Sequence, residues 1–165
     1  MFTGIIKERR MKYRLLFLSL LLFLSLTSCK SQKNVSKDQT TNHVSYSNNF
    51  ERVYQKYKGT PYLYGGTTSR GFDCSGFVQR IFMDVYKKKL PRTTKAMMKY
   101  GKKINKSNLK IGDLVFFHPT RNYYHVGIYM GNGLFMHASS SRGVMKSKLS
   151  LKYWKKSYVM TRRVL

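Results

Sequence analysis

The chain has 165 residues, of which 32 are Lys or Arg and 6 are Asp or Glu, for a formal net charge of +26. This length holds one domain with a leader or tail; 12 Gly and 3 Pro exclude a collagen-like or low-complexity chain, and 42% hydrophobic with 15% aromatic residues excludes disorder throughout. Two cysteines, Cys29 and Cys74, exclude a disulfide framework, and the charge predicts polyanionic surroundings: nucleic acid, an acidic membrane face or an acidic wall polymer.

The first element is an apolar run, Leu15 to Leu26, broken only by two serines and free of charge. A membrane-spanning helix needs roughly 20 apolar residues. This shorter run behind Met11-Lys12-Tyr13-Arg14 has the size and flank of a signal-peptide core. Met11 already opens a complete basic region, so residues 1–10 read as an upstream extension from a misplaced start. The run ends in Leu26-Thr27-Ser28-Cys29, which resembles a bacterial lipobox, where small residues precede a Cys that becomes the lipid-bearing N-terminus. The alternative is an ordinary signal peptide that happens to contain a Cys.

On the lipobox reading, residues 1–28 are the signal peptide, Cys29 is lipidated, and residues 29–46 form a tether. One acyl chain, at ~0.8 kcal/mol per CH₂, binds a bilayer marginally, whereas more than one anchors stably. Removing residues 1–28 takes away five basic and one acidic residue and leaves a charge of +22. An exported protein seldom meets nucleic acid, so the expected partners are the cell wall, peptidoglycan above all, and the membrane that holds the anchor. Lys30 after the lipid-bearing Cys, in place of Asp, points to the periplasmic face of the outer membrane. Residues 30–46 hold scattered apolar residues among Ser, Thr, Asn, Gln and Lys, a solvated tether in which His43 has no special role.

The domain itself is expected over 47–165. Asn48 and Glu51 read as a capping box, and Phe50, Val53, Tyr54 and Tyr57 follow at the spacing of one helical face. Gly59 and Pro61 end that helix, and Pro61 to Phe72 is an extended and turn segment. A second helix starts behind Asp73 as N-cap, with Phe77, Val78, Ile81, Phe82 and Val85 on its buried face. A short helix follows over Thr93–Tyr100. Then the period changes: Asp113–His118, His125–Met130, Leu134–Ala138 and Tyr158–Leu165 read as strands. Helices first and an antiparallel sheet second make the fold class α+β.

Cys74 is the only thiol left once Cys29 carries lipid. It sits in the first turn of a helix, where the helix N-terminus favours the thiolate, and the thiolate is the nucleophile. An inert core cysteine is the plainer alternative. A thiol nucleophile needs a base and a group that orients the base. Gly131-Asn132-Gly133 is a hairpin loop between His125 and His137. With those three residues as the loop, Met130 faces Leu134, Gly127 faces His137 and His125 faces Ser139. The two His then share one face as diagonal neighbours; a loop one residue longer or shorter would separate them. Cys74, His125 and His137 are thus candidates for nucleophile, base and orienting group. Rival readings are a zinc site, which lacks a fourth ligand, and two unrelated His on a solvated face. His118, before Pro119 at a strand end, has no evident partner.

The wording of the segments is more specific than their spacing. Gly59-Thr60-Pro61-Tyr62-Leu63-Tyr64-Gly65-Gly66, Phe72-Asp73-Cys74-Ser75-Gly76-Phe77-Val78, Leu90-Pro91-Arg92-Thr93-Thr94, Gly112-Asp113-Leu114-Val115-Phe116-Phe117, His125-Val126-Gly127-Ile128-Tyr129 and His137-Ala138 stand in that order. Together they resemble the NlpC/P60 family of cell-wall cysteine peptidases, and in layout the lipoprotein murein endopeptidases of Gram-negative bacteria. The resemblance implies a papain-like fold in which the nucleophile helix packs on a sheet bearing both His. It implies Cys74 as nucleophile, His125 as general base and His137 as the group orienting His125. It also implies Tyr62 as an active-site Tyr that helps hold the oxyanion, and Asp73 and Ser75 as groups that bind substrate amine or carboxylate. For Asp73, a helix N-cap role is equally expected. The implied chemistry is acyl transfer with no metal or organic cofactor. The implied bond is the D-Ala to meso-diaminopimelate cross-link, or alternatively the γ-D-Glu to diamino acid bond within one stem, with the loops Thr67–Gly71 and Thr120–Tyr124 as selectors. A non-catalytic wall-binding module is the remaining alternative. A potentially lytic enzyme calls for restraint, and no regulatory protein is identified by the sequence.

Overall fold

A computed structural model describes residues 48–165. The signal segment, Cys29, His43 and the tether read from the sequence lie outside the described residues. The first helix, α1 (residues 48–57), buries Phe50, Val53, Tyr54 and Tyr57, the face expected from their spacing. Asn48 is already helical, so the capping box placed on Asn48 and Glu51 is not the start of α1. The Glu51 carboxylate instead accepts from Gln55 Nε2 at 2.8 Å and pairs with Lys146.

After Gly59, the segment expected to be extended folds into a small ribbon of β1 (Thr67–Thr68) and β2 (Gly71–Phe72). The second helix, α2 (Cys74–Tyr86), opens at Asp73, whose carboxylate caps Gly76 N–H at 2.6 Å. Phe77, Val78, Ile81 and Phe82 are all fully buried. A helix this well packed is held mainly by its apolar face, since each such side chain contributes about 1.5–3 kcal/mol on burial. It ends at Lys87 in the left-handed conformation. The third helix, α3 (Thr94–Met97), is capped by Thr93 and is one turn long. It is shorter than the Thr93–Tyr100 expected, because from Lys99 onward the backbone bonds tighten to i→i−3 turns that stop at Gly101.

The sheet has six strands: β3 (Lys102–Ile104), β4 (Leu114–Thr120), β5 (Tyr123–Gly131), β6 (Leu134–Ser139), β7 (Gly143–Lys148) and β8 (Tyr158–Arg163). Their order is β3-β8-β4-β5-β6-β7, antiparallel at every pair. A last helix, α4 (Lys152–Ser157), precedes β8. The fold is α+β, as the sequence pattern predicts. The edge strands β3 and β7, helix α4 and the β1–β2 ribbon are not in that reading. Both edge strands carry lysines where a core strand would carry apolar residues, and α4 is too short to show a period.

Strand β4 shows why the sheet is covered on both sides. Leu114 and Phe116 face α1 and α2, while Val115 and Phe117 face a second apolar layer with Phe135, Leu149 and Trp154 of α4. The start of β4 is fixed to β8 by Asp113, 2% exposed, whose carboxylate accepts from Arg163 Nε at 2.8 Å and Nη2 at 2.7 Å.

The β5–β6 hairpin keeps the expected register, with Ile128 opposite Met136 and Tyr129 opposite Phe135. Its tip differs: Gly131, not Met130, faces Leu134, and the register shifts between Tyr129 and Gly131. The loop is therefore two residues, Asn132-Gly133, both at positive φ, the geometry a tight hairpin needs. Met130 is absorbed as a bulge, so the histidines stay in step.

Gly127 sits where a Cβ would lie 2.5 Å from the Phe135 ring. Gly127→Ala is expected to lower stability by about 1–3 kcal/mol, the usual cost of forcing extra volume into a packed layer. Chemical denaturation of the two proteins measures it, and an unchanged midpoint would contradict the close packing of this hairpin.

Candidate active site

Asp73 does more than cap α2. Its Oδ1 accepts from Gly76 N–H, from Ser75 Oγ at 3.2 Å and from Arg92 Nη1 at 3.0 Å. Its Oδ2 accepts from Arg92 Nη2 at 2.6 Å and from Gly65 N–H at 3.1 Å. Burial pushes this carboxyl up, but the hydrogen bonds from Arg92 and Gly76 outweigh it and hold it below the usual range. Arg92 also donates to Ser75 Oγ at 3.0 Å. The first turn of α2 is thus tied to the segment before it and the loop after it. At Gly76 an added Cβ would lie 2.1 Å from Gly66 O, so only glycine lets the 61–72 segment lie this close to the helix start.

That clamp presents Cys74 at the floor of a cavity of about 530 Å³ lined by Tyr62, Asp73, Ser75, Arg92, Thr94 and Tyr123. Cys74 itself is 5% exposed. Its thiol sits 3.4 Å from Thr94 Oγ1. Tyr62 is bridged to Phe72; burial raises its phenol, which lies against the Tyr123 hydroxyl. Tyr62, Asp73, Cys74 and Ser75, the residues singled out in the sequence on the nucleophile side, are brought together.

The histidines meet on the α4 side of the sheet. His125 Nε2 is 2.9 Å from His137 Nδ1, and His137 Nε2 is 2.9 Å from Ser147 Oγ. Trp154 stacks on His125 with centroids 5.3 Å apart and meets His137 edge-on at 5.0 Å. Phe135 stacks on His137 at 4.8 Å. Burial lowers His125 to about 3, and burial together with the neighbouring His125 lowers His137 to about 2. Both are neutral at rest. The hydrogen bond between them holds the two rings in a fixed mutual orientation.

Four residues of the site were not singled out individually by the sequence, although Tyr123 falls within the Thr120–Tyr124 segment expected to select the bond. Tyr123 places its hydroxyl 3.0 Å from His125 Nδ1 and against the Cys74 thiol. Its signal was present: two residues before His125 on a strand is the same face. Trp154 carries no such signal, and Thr94 and Arg92 lie in a quoted block without an assigned part. His118, left without a partner in the sequence, stacks on Tyr124 at 4.2 Å and reaches Arg121 O. Thr120–Tyr124 is not a free loop either, since β4 and β5 pair up to Thr120 and Tyr123. Among the described residues, no set of three His, Cys, Asp or Glu side chains is placed to hold a metal.

Residues 59–163 match the NlpC/P60 family, a span that contains every motif block together with Cys74, His125 and His137. The chain belongs to the NlpC/P60 family. Its relatives are named as endopeptidases. It is 51% identical over 113 residues to the probable endopeptidase NlpC homolog of Haemophilus influenzae, a match over 68% of this chain and 60% of that protein. It is 44% identical over 138 residues to the murein DD-endopeptidase MepS/murein LD-carboxypeptidase of Escherichia coli K12, over 82% of this chain and 73% of that protein. Among solved structures it resembles an NlpC/P60 family protein from Bacillus cereus, with a TM-score of 0.66 and 29% identity over 72% of this chain and 40% of the other.

The buried neutral histidines make stability depend on pH with a definite sign. Their folded values lie below the ordinary 6.5, so in acid the unfolded chain takes up protons that the folded chain refuses. Stability from this source is full above about pH 6.5 and is lost as pH falls towards 3, by about 1.4 kcal/mol per pH unit per histidine at most. Urea unfolding from pH 7 to 4 is expected to show a shallower pH slope for His137→Asn than for wild type. Equal slopes would mean that His137 is charged in the folded protein.

Proposed function

We propose that this chain is a lipid-anchored peptidoglycan endopeptidase that cuts stem peptides at the D-Ala to meso-diaminopimelate cross-link through Cys74, His125 and His137. The observation that carries the chemistry is the placement of the single described thiol in the first turn of α2, on the floor of a cavity, with a hydrogen-bonded histidine pair on the adjoining sheet. Cys74 attacks the peptide carbonyl, and its own backbone N–H, unclaimed by the helix in the first turn, stabilises the oxyanion with Tyr62. His125 takes the thiol proton and gives it to the leaving amine. Water then hydrolyses the thioester, with His125 as base. Asp73 and Ser75, through Arg92, line the side of the cavity that receives the charged ends of the stem.

The choice of bond follows the likeness to the Escherichia coli protein, whose name includes a murein DD-endopeptidase activity. The chain's remaining charge of +22 after residue 28 suits a carboxylate-rich wall polymer and an acidic membrane face. Cys29 is the anchor in this reading, with residues 29–46 as tether and the periplasmic face of the outer membrane as location.

Mass spectrometry of muropeptides after digestion by the detergent-solubilised chain tests the reaction. Cross-linked dimers are expected to fall to monomers, Cys74→Ala to be inactive, and His137→Ala to lose less activity than His125→Ala. Products cut after D-Glu would replace the bond with the one inside a single stem, and a profile identical to that of Cys74→Ala would leave a binding module.

The anchor has its own test. Cys29→Ser is expected to move the protein from the membrane to the soluble fraction, and a variant still bound after carbonate washing would refute the lipid attachment.

A further inference from the structure

Two cavities flank the catalytic residues, and among the described residues Tyr123 is the one side chain that lines both. On one side, of about 530 Å³, it stands with Tyr62, Cys74 and Thr94; on the other, of about 640 Å³, it stands with His125, His137 and Trp154. Cys74 faces the first cavity and His125 the second. The partition between nucleophile and base is therefore one phenol ring at the first residue of β5.

The hydrogen bonds tell the same story. His125 has two ring nitrogens, and both are engaged: Nε2 with His137 at 2.9 Å and Nδ1 with the Tyr123 hydroxyl at 3.0 Å. The Cys74 thiol meanwhile sits 3.4 Å from Thr94 Oγ1. Because Nε2 is committed to the residue that orients the ring, Nδ1 is the atom a thiol proton has to reach, and Tyr123 holds it. The scissile amide faces the same obstacle. Its acyl half belongs beside Cys74 and its leaving amine beside His125, so the bond must cross the place the ring occupies.

We propose that Tyr123 is a gate, which at rest keeps Cys74 and His125 apart and which a stem peptide displaces from His125 Nδ1 on entering the nucleophile cavity. The inference rests on the assignment of Cys74 as nucleophile and His125 as base. With the gate open, the S–H bond of Cys74 breaks, an N–H bond forms at His125 Nδ1, and the imidazolium keeps its bond to His137. Nothing else is transferred. The phenol leaves as a neutral group, since burial and the neighbouring Cys74 and Tyr62 push it well above its ordinary value. Its position favours such a movement. Tyr123 is half-buried and adjoins the exposed Arg121-Asn122 turn, whereas His125, two residues on, is 2% exposed. Such an arrangement leaves a wall-cutting thiol unactivated until substrate is in place.

The gate is tested without substrate by alkylation of Cys74 with iodoacetamide, followed by mass spectrometry of the Cys74 peptide in the detergent-solubilised full chain. Tyr123→Ala removes the partition. At pH 6.5 it is expected to react roughly tenfold faster than wild type, because direct contact lets the imidazole take up the thiol proton. The gain is expected to vanish in Tyr123→Ala/His125→Ala. Tyr123→Phe, which keeps the ring and removes only the hydroxyl and its contacts with His125 Nδ1, Cys74 and Tyr62, is expected to show a smaller gain and decides the matter if the Ala variant does not fold. Both variants reacting no faster than wild type would overturn the gate. Both falling to the rate of His125→Ala would overturn it in a particular way, making the hydroxyl a carrier of the proton between Cys74 and His125. A gain that survives in the double variant would also overturn it, as simple unmasking of the thiol. Failure of the nucleophile assignment is read separately, as muropeptide hydrolysis retained by Cys74→Ala.

Discussion

The hydrogen bond between His125 and His137, 2.9 Å long and buried on both sides, is the contact on which the site depends. It requires an antiparallel hairpin in one register, because a slip of one residue turns either imidazole to the opposite face. The bulge at Met130 lets the turn shorten to Asn132-Gly133 without that slip. It also requires a dry layer around the rings, which Phe117, Phe135 and Trp154 provide. Two neutral imidazoles can share a hydrogen bond in such a layer at little cost, whereas a charged pair there would have no counter-ion and would be expelled.

The need for that layer explains why the sheet is covered twice. The α1 and α2 side is the larger core and carries most of the stability. The α4 side is smaller, yet it sets the protonation of the histidines. Burial there is what holds both rings neutral, so packing on one face of the sheet decides the chemistry at its edge. Proton transfer to His125 is then favourable only when an anion forms beside it, and in the proposed reaction the thiolate of Cys74 would be that anion.

On the other side of the partition the governing feature is saturation of Asp73. Its two oxygens accept from Gly65, Ser75, Gly76 and Arg92, so one carboxylate fixes the helix start, the segment bearing Tyr62 and the loop bearing Thr94. Asp73 is the expected cap of α2 and also lines the cavity beside Cys74. The edge strands carry Lys102 and Lys103 on β3 and Lys146 and Lys148 on β7, which discourage strand-to-strand association.

The faces of α1 and α2, the central strands and the β5–β6 register follow from local periodicity and turn chemistry, and were legible because each residue's environment is fixed by neighbours a few positions away. The placement of Cys74 and of the histidine pair was legible for the same reason, Cys74 from its helix start and His125 and His137 from the arithmetic of one hairpin. The edge strands β3 and β7 and the helix α4 were not, since an edge strand takes its form from the strand it pairs with and a six-residue helix from the surface it covers. Tyr123 marks the boundary most clearly. Strand alternation alone places it on the face of His125, but that its hydroxyl also meets Cys74 depends on where α2 packs against the start of β5. That packing is a contact between segments some fifty residues apart, and only tertiary structure decides it.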